Sequence, residues 1–357
     1  MRPATERRYA PLATGGSAAG DSEARDRPQA RAFWLFDSVP ISQLNSTASV
    51  ADPPGLTPDR PWRDTMAEPI LKWAGGKRQL LAELYARLPE SFDAYHEPFL
   101  GGGALFFDLE PAGGTVNDTN GRLVDFYEQV RDRPAALIER CRAFADPESE
   151  PDPERAHADA RNYYYQQRAL FNRRPRGESF DPLEEAALLL YLNRTGFNGL
   201  YRENADGEFN VPVGRYADPD WVRAVQVRAA SEVLSSVRVE CGDFEYVLDA
   251  ATAGDLVYFD PPYEPVSRTA DFTDYAAEGF DREDQRRLLG VARELDERGV
   301  HVVCSNSGVM HDRYAEVGFH VAREGATRAI NSDADGRGEV AEIVATTVPP
   351  ERRAVDD

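Results

Sequence analysis

One segment, Leu256-Val257-Tyr258-Phe259-Asp260-Pro261-Pro262-Tyr263, sets what is expected of the rest of the chain. Four consecutive apolar residues bounded by turn formers read as a buried strand of a parallel sheet. Proline has no N–H to give to a sheet ladder, so the strand must stop at Asp260. The sequence thus sets a carboxylate, two rigid carbonyl-bearing prolines and an aromatic ring just past the carboxyl end of a strand. In open α/β sheets, ligands bind there.

Such a corner suits methylation of an exocyclic amine. The N6 amine of adenine is a poor nucleophile because its lone pair is delocalised into the ring. Two acceptors, the Asp260 carboxylate and the Pro261 carbonyl, would bind both amine hydrogens and favour a localised lone pair. Proline's fixed φ holds that carbonyl in place before reaction, and Tyr263 would stack on a base flipped from the helix. For these four residues alone, an ordinary Pro-Pro turn after a strand is the competing reading.

Composition narrows the setting. At 357 residues, with 41% hydrophobic content, the chain is long enough for two or three domains with a sizeable core. Its 62 acidic residues outnumber 41 basic ones, for a formal net charge of −21, which at first sight opposes a nucleic-acid partner. All but two of the basic residues are arginine, and the only lysines, Lys72 and Lys77, share one six-residue segment. An acidic, lysine-poor composition resembles that of proteins from salt-loving microbes, so a halophilic setting is expected. Cys141, Cys241 and Cys304 are far apart and the five histidines form no ligand-spaced cluster; neither disulfides nor a metal site is expected. With no run of transmembrane length and no evident signal peptide, the reading is a soluble cytoplasmic protein without a membrane partner.

Residues 1–65 stand apart, rich in Pro, Gly, Ser, Ala and Thr, with eight arginines against eight acids. They read as disordered, or as upstream sequence if translation begins at Met66. Next, a Gly75-Gly76 turn before a helical pattern over Gln79–Leu88 lets backbone amides approach an anionic group, with Lys77 adding charge and Trp73 an aromatic surface. Tyr95 to Leu105 reads as a short strand, a glycine turn at 101–103 and a helix, the first βα turn of a Rossmann-like site, though not the GxGxxG fingerprint. Asp118 ends a second strand, where it can accept from ribose hydroxyls or cap the helix that follows.

Three helices are expected at Val130–Phe144, Ala156–Asn172 and Glu184–Leu192. Arg161 to Arg176 holds five arginines and no acid among several tyrosines, which suits a phosphate backbone with base stacking or a solvated helix face. Asn193–Arg202 and Phe209–Tyr216 flank a turn at Asp206-Gly207, a hairpin signal. Its Asn and Arg side chains suit base edges in the major groove. A helix at Val225–Val237 precedes a strand ending at Asp243-Phe244, a pair suited to hydrogen-bonding and covering an adenine ring. Helix Phe280–Arg298, begun at Asp281, strand Val300–Ser305, a further helix and strand, and a final strand Glu339–Thr347 complete the alternation. It implies a parallel, doubly wound sheet.

Together these segments resemble the DNA adenine methyltransferase (Dam) family of S-adenosylmethionine-dependent N6-adenine methyltransferases, over roughly Pro69 to Thr347. The resemblance rests on LKWAGGK at 71–77, EPFLGGGALFF at 97–107, NRTGFNGLYR with FNVPVGRY at 193–216, YFDPPY at 258–263 and SNSG at 305–308. It implies an α/β fold: a Rossmann-like, doubly wound methyltransferase sheet with an inserted, mainly helical DNA-recognition domain. Residues 66–128 would form the first, donor-binding part of the catalytic domain, 129–216 the insertion, 217–348 the second catalytic part and 349–357 a tail. Trp73, Lys77, Pro98, Phe99, Gly101, Gly103, Asp118, Asp243, Phe244 and Asp260 would surround S-adenosylmethionine. Asp260, Pro261, Pro262 and Tyr263 would form the catalytic corner. Lys72, Arg194, Phe197, Asn198, Leu200, Arg202, Pro212 and Arg215 would contact double-stranded DNA.

In members that read GATC the hairpin carries Asn-Gly-Leu-x-Arg and a later Val-Pro. Asn198, Gly199, Leu200, Arg202, Val211 and Pro212 fit, while Phe197 stands where Tyr is common. GATC is therefore the expected target, and the implied mechanism is direct methyl transfer without a metal or covalent enzyme intermediate. Still open are pairing with a restriction nuclease at another target, an RNA or protein amine as substrate, an inactive DNA-binding regulator, and the oligomeric state. Enzymes that act on RNA or protein amines usually carry Asn where Asp260 stands.

Overall fold

The computed structural model describes residues 67–152, 161–263, 280–326 and 340–354. The extension at 1–65, the start at Met66, the first turns of the helix expected from Ala156, and Glu339 lie outside these residues. Seven strands are described: β1 (Tyr95–Glu97), β2 (Gly114–Asp118), β3 (Arg238–Cys241), β4 (Leu256–Phe259), β5 (His301–Ser307), β6 (His320–Ala326) and β7 (Val340–Thr346). They form one sheet in the order β3-β2-β1-β4-β5-β7-β6.

Strands β1 to β5 are parallel, as the alternation of strands and helices requires. The sheet is mostly parallel, as expected; at its far edge β7 runs antiparallel to both β5 and β6. Antiparallel neighbours need no crossover helix, and only residues 327–339 separate β6 from β7. From β1 the chain winds outward through β2 and β3, then returns to add β4 on the other side. That reversal opens a crevice at the carboxyl ends of β1 and β4, the place where doubly wound sheets bind ligands.

The pleat sorts side chains to two cores. Leu256 and Tyr258 of β4 face one cluster, and Val257 and Phe259 face the other, the period of two that a strand buried on both faces must show. Helix Arg282–Glu297 covers the second cluster through Leu288, Val291, Ala292 and Leu295. It starts at Asp281, which forms a capping box with Asp284. The first cluster is shared by the sheet and by helices Gly121–Asp132, Pro134–Arg142, Tyr163–Phe171, Pro182–Thr195 and Ala224–Leu234. The helical segment expected as an insertion therefore packs into the same core as one face of the sheet.

Two of the expected helices are each divided in two. The single helix expected over Val130–Phe144 is two, because Pro134 lacks an N–H and crowds the preceding turn, which suits the first position of a new helix. The helix expected over Gln79–Leu88 is a 3-10 turn, Lys77–Leu80, followed by Leu81–Tyr85. Helix Pro182–Thr195 is buried from Glu185 through Asn193, as a helix apolar on all sides must be, and it ends where the recognition hairpin begins.

Candidate active site

Strand β4 stops at Phe259, and Asp260 stands at its carboxyl end with a side chain 21% exposed. One oxygen, Oδ1, receives both Lys77 Nζ at 2.9 Å and Ser305 Oγ at 2.8 Å. Ser305 also meets the Tyr258 hydroxyl at 3.0 Å. Among the described residues, no hydrogen bond reaches Asp260 Oδ2 or the Pro261 carbonyl. The Pro262 carbonyl is held by Gln285 Nε2 at 3.0 Å, and Gln285 in turn by Asn306 Nδ2 at 3.0 Å. Tyr263 donates to Glu342 at 3.3 Å and carries Lys77 Nζ 4.6 Å from its ring centroid. Burial pushes the Tyr263 hydroxyl well above its usual range.

Beside this corner, β1 runs through Glu97 and Pro98 into the glycine turn. Gly101 has φ +47°, and a Cβ there would lie 2.8 Å from the Trp73 ring; only glycine lets that backbone pass so close to the indole. Asp118, at the end of β2, accepts from Gly101 N and Asn120 N at 2.9 Å each. Burial pushes its carboxyl up against the pull of those amides. Asp118 is not the helix cap that was the alternative reading. Asn120 is, accepting from Arg122 N and Leu123 N.

Buried Asn117 donates to the carbonyls of Pro98 and Gly242, at 2.9 Å each, joining the loops after β1 and β3. On the second loop, Phe244 stacks on Phe99 at 5.5 Å, and Phe280 meets Phe99 edge-on at 5.6 Å. Asp243 has both carboxylate oxygens 3.0 Å from Arg287 NH2. Contacts thus join Trp73 to Gly101, Gly101 to Asp118, Phe99 to Phe244 and Lys77 to Asp260 around the carboxyl ends of β1, β2 and β4.

The expected hairpin is present as paired backbone, with bridges Gly196 to Val213 and Glu203 to Phe209. Phe197 is 44% exposed, and Asn198, Arg202, Pro212 and Arg215 are exposed beside it, with Leu200 and Arg194 partly so. Arg202 Nε binds Asn210 Oδ1 at 2.6 Å, and Arg194 Nε the Asp220 carbonyl at 3.2 Å. Lys72 Nζ lies 4.2 Å over the Tyr216 ring. The basic stretch from Arg161 to Arg176 behaves otherwise than a free phosphate-binding patch. Arg174 bridges Asp125 and Glu185, Arg176 pairs with Glu208, Arg173 with Glu178, and Arg168 binds backbone carbonyls at 210 and 211. Arg174 thus ties two helices together, and Arg168 and Arg176 tie this segment to the hairpin.

Sequence reasoning missed Ser305, Gln285, Glu342, Asn117 and Glu97 as members of the site. Glu97 and Ser305 stand in the quoted segments EPFLGGGALFF and SNSG without an assigned role; the signal for Gln285 is a polar residue on the buried stripe of helix Arg282–Glu297. Glu97 ends β1 buried, accepting from Tyr95 at 2.7 Å.

The sequence pattern of the family described as D12 class N6 adenine-specific DNA methyltransferase matches residues 73–330. The chain is 39% identical over 282 residues to Type II methyltransferase M1.LlaDCHI of Lactococcus lactis subsp. cremoris, covering 78% of this chain and 94% of that one. It is 37% identical to Type II methyltransferase M.MjaIII of Methanocaldococcus jannaschii, over 76% and 95% of the two chains. With the DNA adenine methylase of Escherichia coli (strain K12) it shares 35% identity, over 78% and 95%.

Proposed function

Given that this chain belongs to the D12 class of N6 adenine-specific DNA methyltransferases, we propose that it moves a methyl group from S-adenosylmethionine to N6 of an adenine flipped out of duplex DNA, within GATC. The observation that carries the reading is a pair of acceptors at the end of β4, Asp260 Oδ2 and the Pro261 carbonyl, to which no hydrogen bond runs among the described residues. Two acceptors match the two hydrogens of an exocyclic amine. Lys77 and Ser305 hold the other carboxylate oxygen, so Oδ2 is oriented before any base arrives, and such preorganisation is the larger part of electrostatic catalysis. Gln285 fixes the Pro262 carbonyl and with it the peptide that carries the Pro261 acceptor.

The crevice fits the donor by its chemistry. A glycine turn that brings backbone against an aromatic plane, a carboxylate at the end of β2, and an Asp-Phe pair after β3 suit an amino-acid moiety, a ribose and an adenine ring. Bound there, S-adenosylmethionine supplies an electrophilic methyl group. The residues of this chain orient the amine toward it: Asp260 and Pro261 hold the hydrogens and Tyr263 backs the base. The methylated amine is acidic and needs no strong base to lose its proton.

The exposed hairpin supplies the DNA contacts. Phe197 stacks in the gap left by the flipped base, and Asn198, Leu200, Arg202 and Pro212 read base edges. Lys72, Arg194 and Arg215 complete the interface. The Asn-Gly-Leu-x-Arg and Val-Pro arrangement supports GATC. Similarity to proteins named Type II methyltransferase favours a second reading with the same chemistry, modification of DNA alongside a restriction nuclease. Methylating unmodified genomic DNA in concentrated salt, then sequencing for N6-methyladenine in context, tests activity and target together. The expected result is modification confined to GATC; methylation in another context replaces the target, and absence of N6-methyladenine overturns the function.

A further inference from the structure

We propose that Asn193 is a positioning residue that couples the methyl-donor site to the DNA-recognition hairpin. The inference rests on the assignment of Trp73 to the donor and of Phe197–Arg202 to DNA. Asn193 sits in the last turn of helix Pro182–Thr195 and is 1% exposed. Its Oδ1 accepts from Lys72 N at 2.8 Å, and its Nδ2 donates to the Lys72 carbonyl at 2.8 Å and to the Gly199 carbonyl at 2.9 Å. Both amide hydrogens are used, and both go to backbone. On one side the side chain pairs with Lys72 as a neighbouring strand would, and so fixes the residue that leads into Trp73. On the other it holds the Asn198-Gly199 bend in the first arm of the hairpin.

Asn198 has φ +53° and Gly199 φ +65°, the consecutive left-handed pair that Asn-Gly adopts readily in a tight bend; Asn193 fixes where that bend sits against Lys72. A Cβ on Gly199 would lie 2.3 Å from Lys72 Cδ, so this bend of the hairpin and the donor-side segment are in direct contact as well as bridged. A second link runs in parallel. Trp73, backed by the glycine turn, stacks on Tyr201 of the hairpin at 5.3 Å. Tyr201 donates to Glu203, which Arg122 also binds at 3.3 Å.

The consequence is a reciprocal one. Whatever orders Lys72-Trp73 from the donor side also orders the Gly199 carbonyl, and with it Asn198 and Leu200. Whatever orders the hairpin from the DNA side orders Trp73 by the same amount, since coupling between two binding sites is symmetric. A buried asparagine with only a packing role would change stability and leave this coupling untouched.

The test measures S-adenosylhomocysteine binding by calorimetry on the full chain, with and without a saturating duplex that carries the sequence the enzyme methylates. Wild-type protein should bind S-adenosylhomocysteine at least about fivefold more tightly with the duplex present, the lower end of ordinary coupling. In Asn193→Ala that factor should fall to about twofold or less, with affinity in the absence of DNA kept within about threefold. Should Asn193→Ala fail to fold, Asn193→Leu, which keeps the branched shape and buries no charge but loses both donors and the acceptor, decides by the same criterion. A wild-type factor near one, or a variant that keeps the wild-type factor, overturns the proposal. Wild-type protein that methylates DNA without coupling sinks only this inference, whereas protein that binds no S-adenosylhomocysteine sinks the functional reading beneath it.

Discussion

Glu97 shows how much a single buried group can shape this site. Its carboxyl, 2% exposed, is pushed well above the usual glutamate range, first by burial and further by the negative charges of Asp260 and Asp118. The folded protein therefore holds a proton that the unfolded chain releases near its ordinary pKa of about 4.3. A raised carboxyl pKa contributes stability that is complete below that value and is lost as pH rises toward the folded pKa. Glu97→Gln, which mimics the protonated form, should gain on the wild type by about 1.4 kcal/mol per pH unit above pH ~4.3 until the folded pKa is passed. Urea unfolding of both proteins across pH measures this, and parallel pH profiles would contradict it. Phe197 makes the opposite case, exposed and without a structural duty. Phe197→Ala should leave the unfolding temperature unchanged and weaken duplex binding by about 1–3 kcal/mol, read by fluorescence anisotropy.

Among the secondary elements, Arg122 ties helix Gly121–Asp132 to the rest of the helical layer. It binds Glu185 at 2.8 Å, Glu203 at 3.3 Å and the Phe171 carbonyl at 2.6 Å, with its guanidinium 3.4 Å over the Phe171 ring. Removing it leaves Glu185, among the described residues, with Arg174 alone and the Phe171 carbonyl without its donor, so Arg122→Ala should lower the unfolding free energy by about 2 kcal/mol in urea titration. The elements were well legible where local chemistry decides them. Pro261 ended β4, Asp281 capped the helix after it, and Asp206-Gly207 turned the hairpin. Legibility failed where partners are remote in sequence. Ser305 reaches Asp260 across 45 residues and Asn193 reaches Lys72 across 121, and no periodicity carries that information. The antiparallel turn of β7 was hidden likewise, because an apolar strand reads the same in either direction.

At the scale of the whole molecule, the acidic surface and a DNA substrate are reconciled by where the arginines go. Those of the 168–176 segment are engaged within the protein, and Lys72, Arg194, Arg202 and Arg215 are the cations proposed for DNA. With Arg202 reading a base edge, three neutralised phosphates give a slope of log affinity against log salt of roughly −2.7. A slope steeper than about −7 from a salt titration of duplex binding would show that many more cations engage. The order of the motifs made the sheet and the crevice readable from sequence, since each segment announces a strand's carboxyl end. The shared core of sheet and recognition helices was not readable, because helix Pro182–Thr195 is apolar on every side and gives no facing direction. All of this converges on the acceptor pair that follows β4. The most direct measurement is single-turnover methyl transfer to a duplex by Asp260→Ala beside wild type, with duplex affinity measured on the same preparations. The predicted result is a rate lower by at least about 10²–10³-fold with affinity nearly unchanged; transfer at close to the wild-type rate would contradict the role assigned to Asp260.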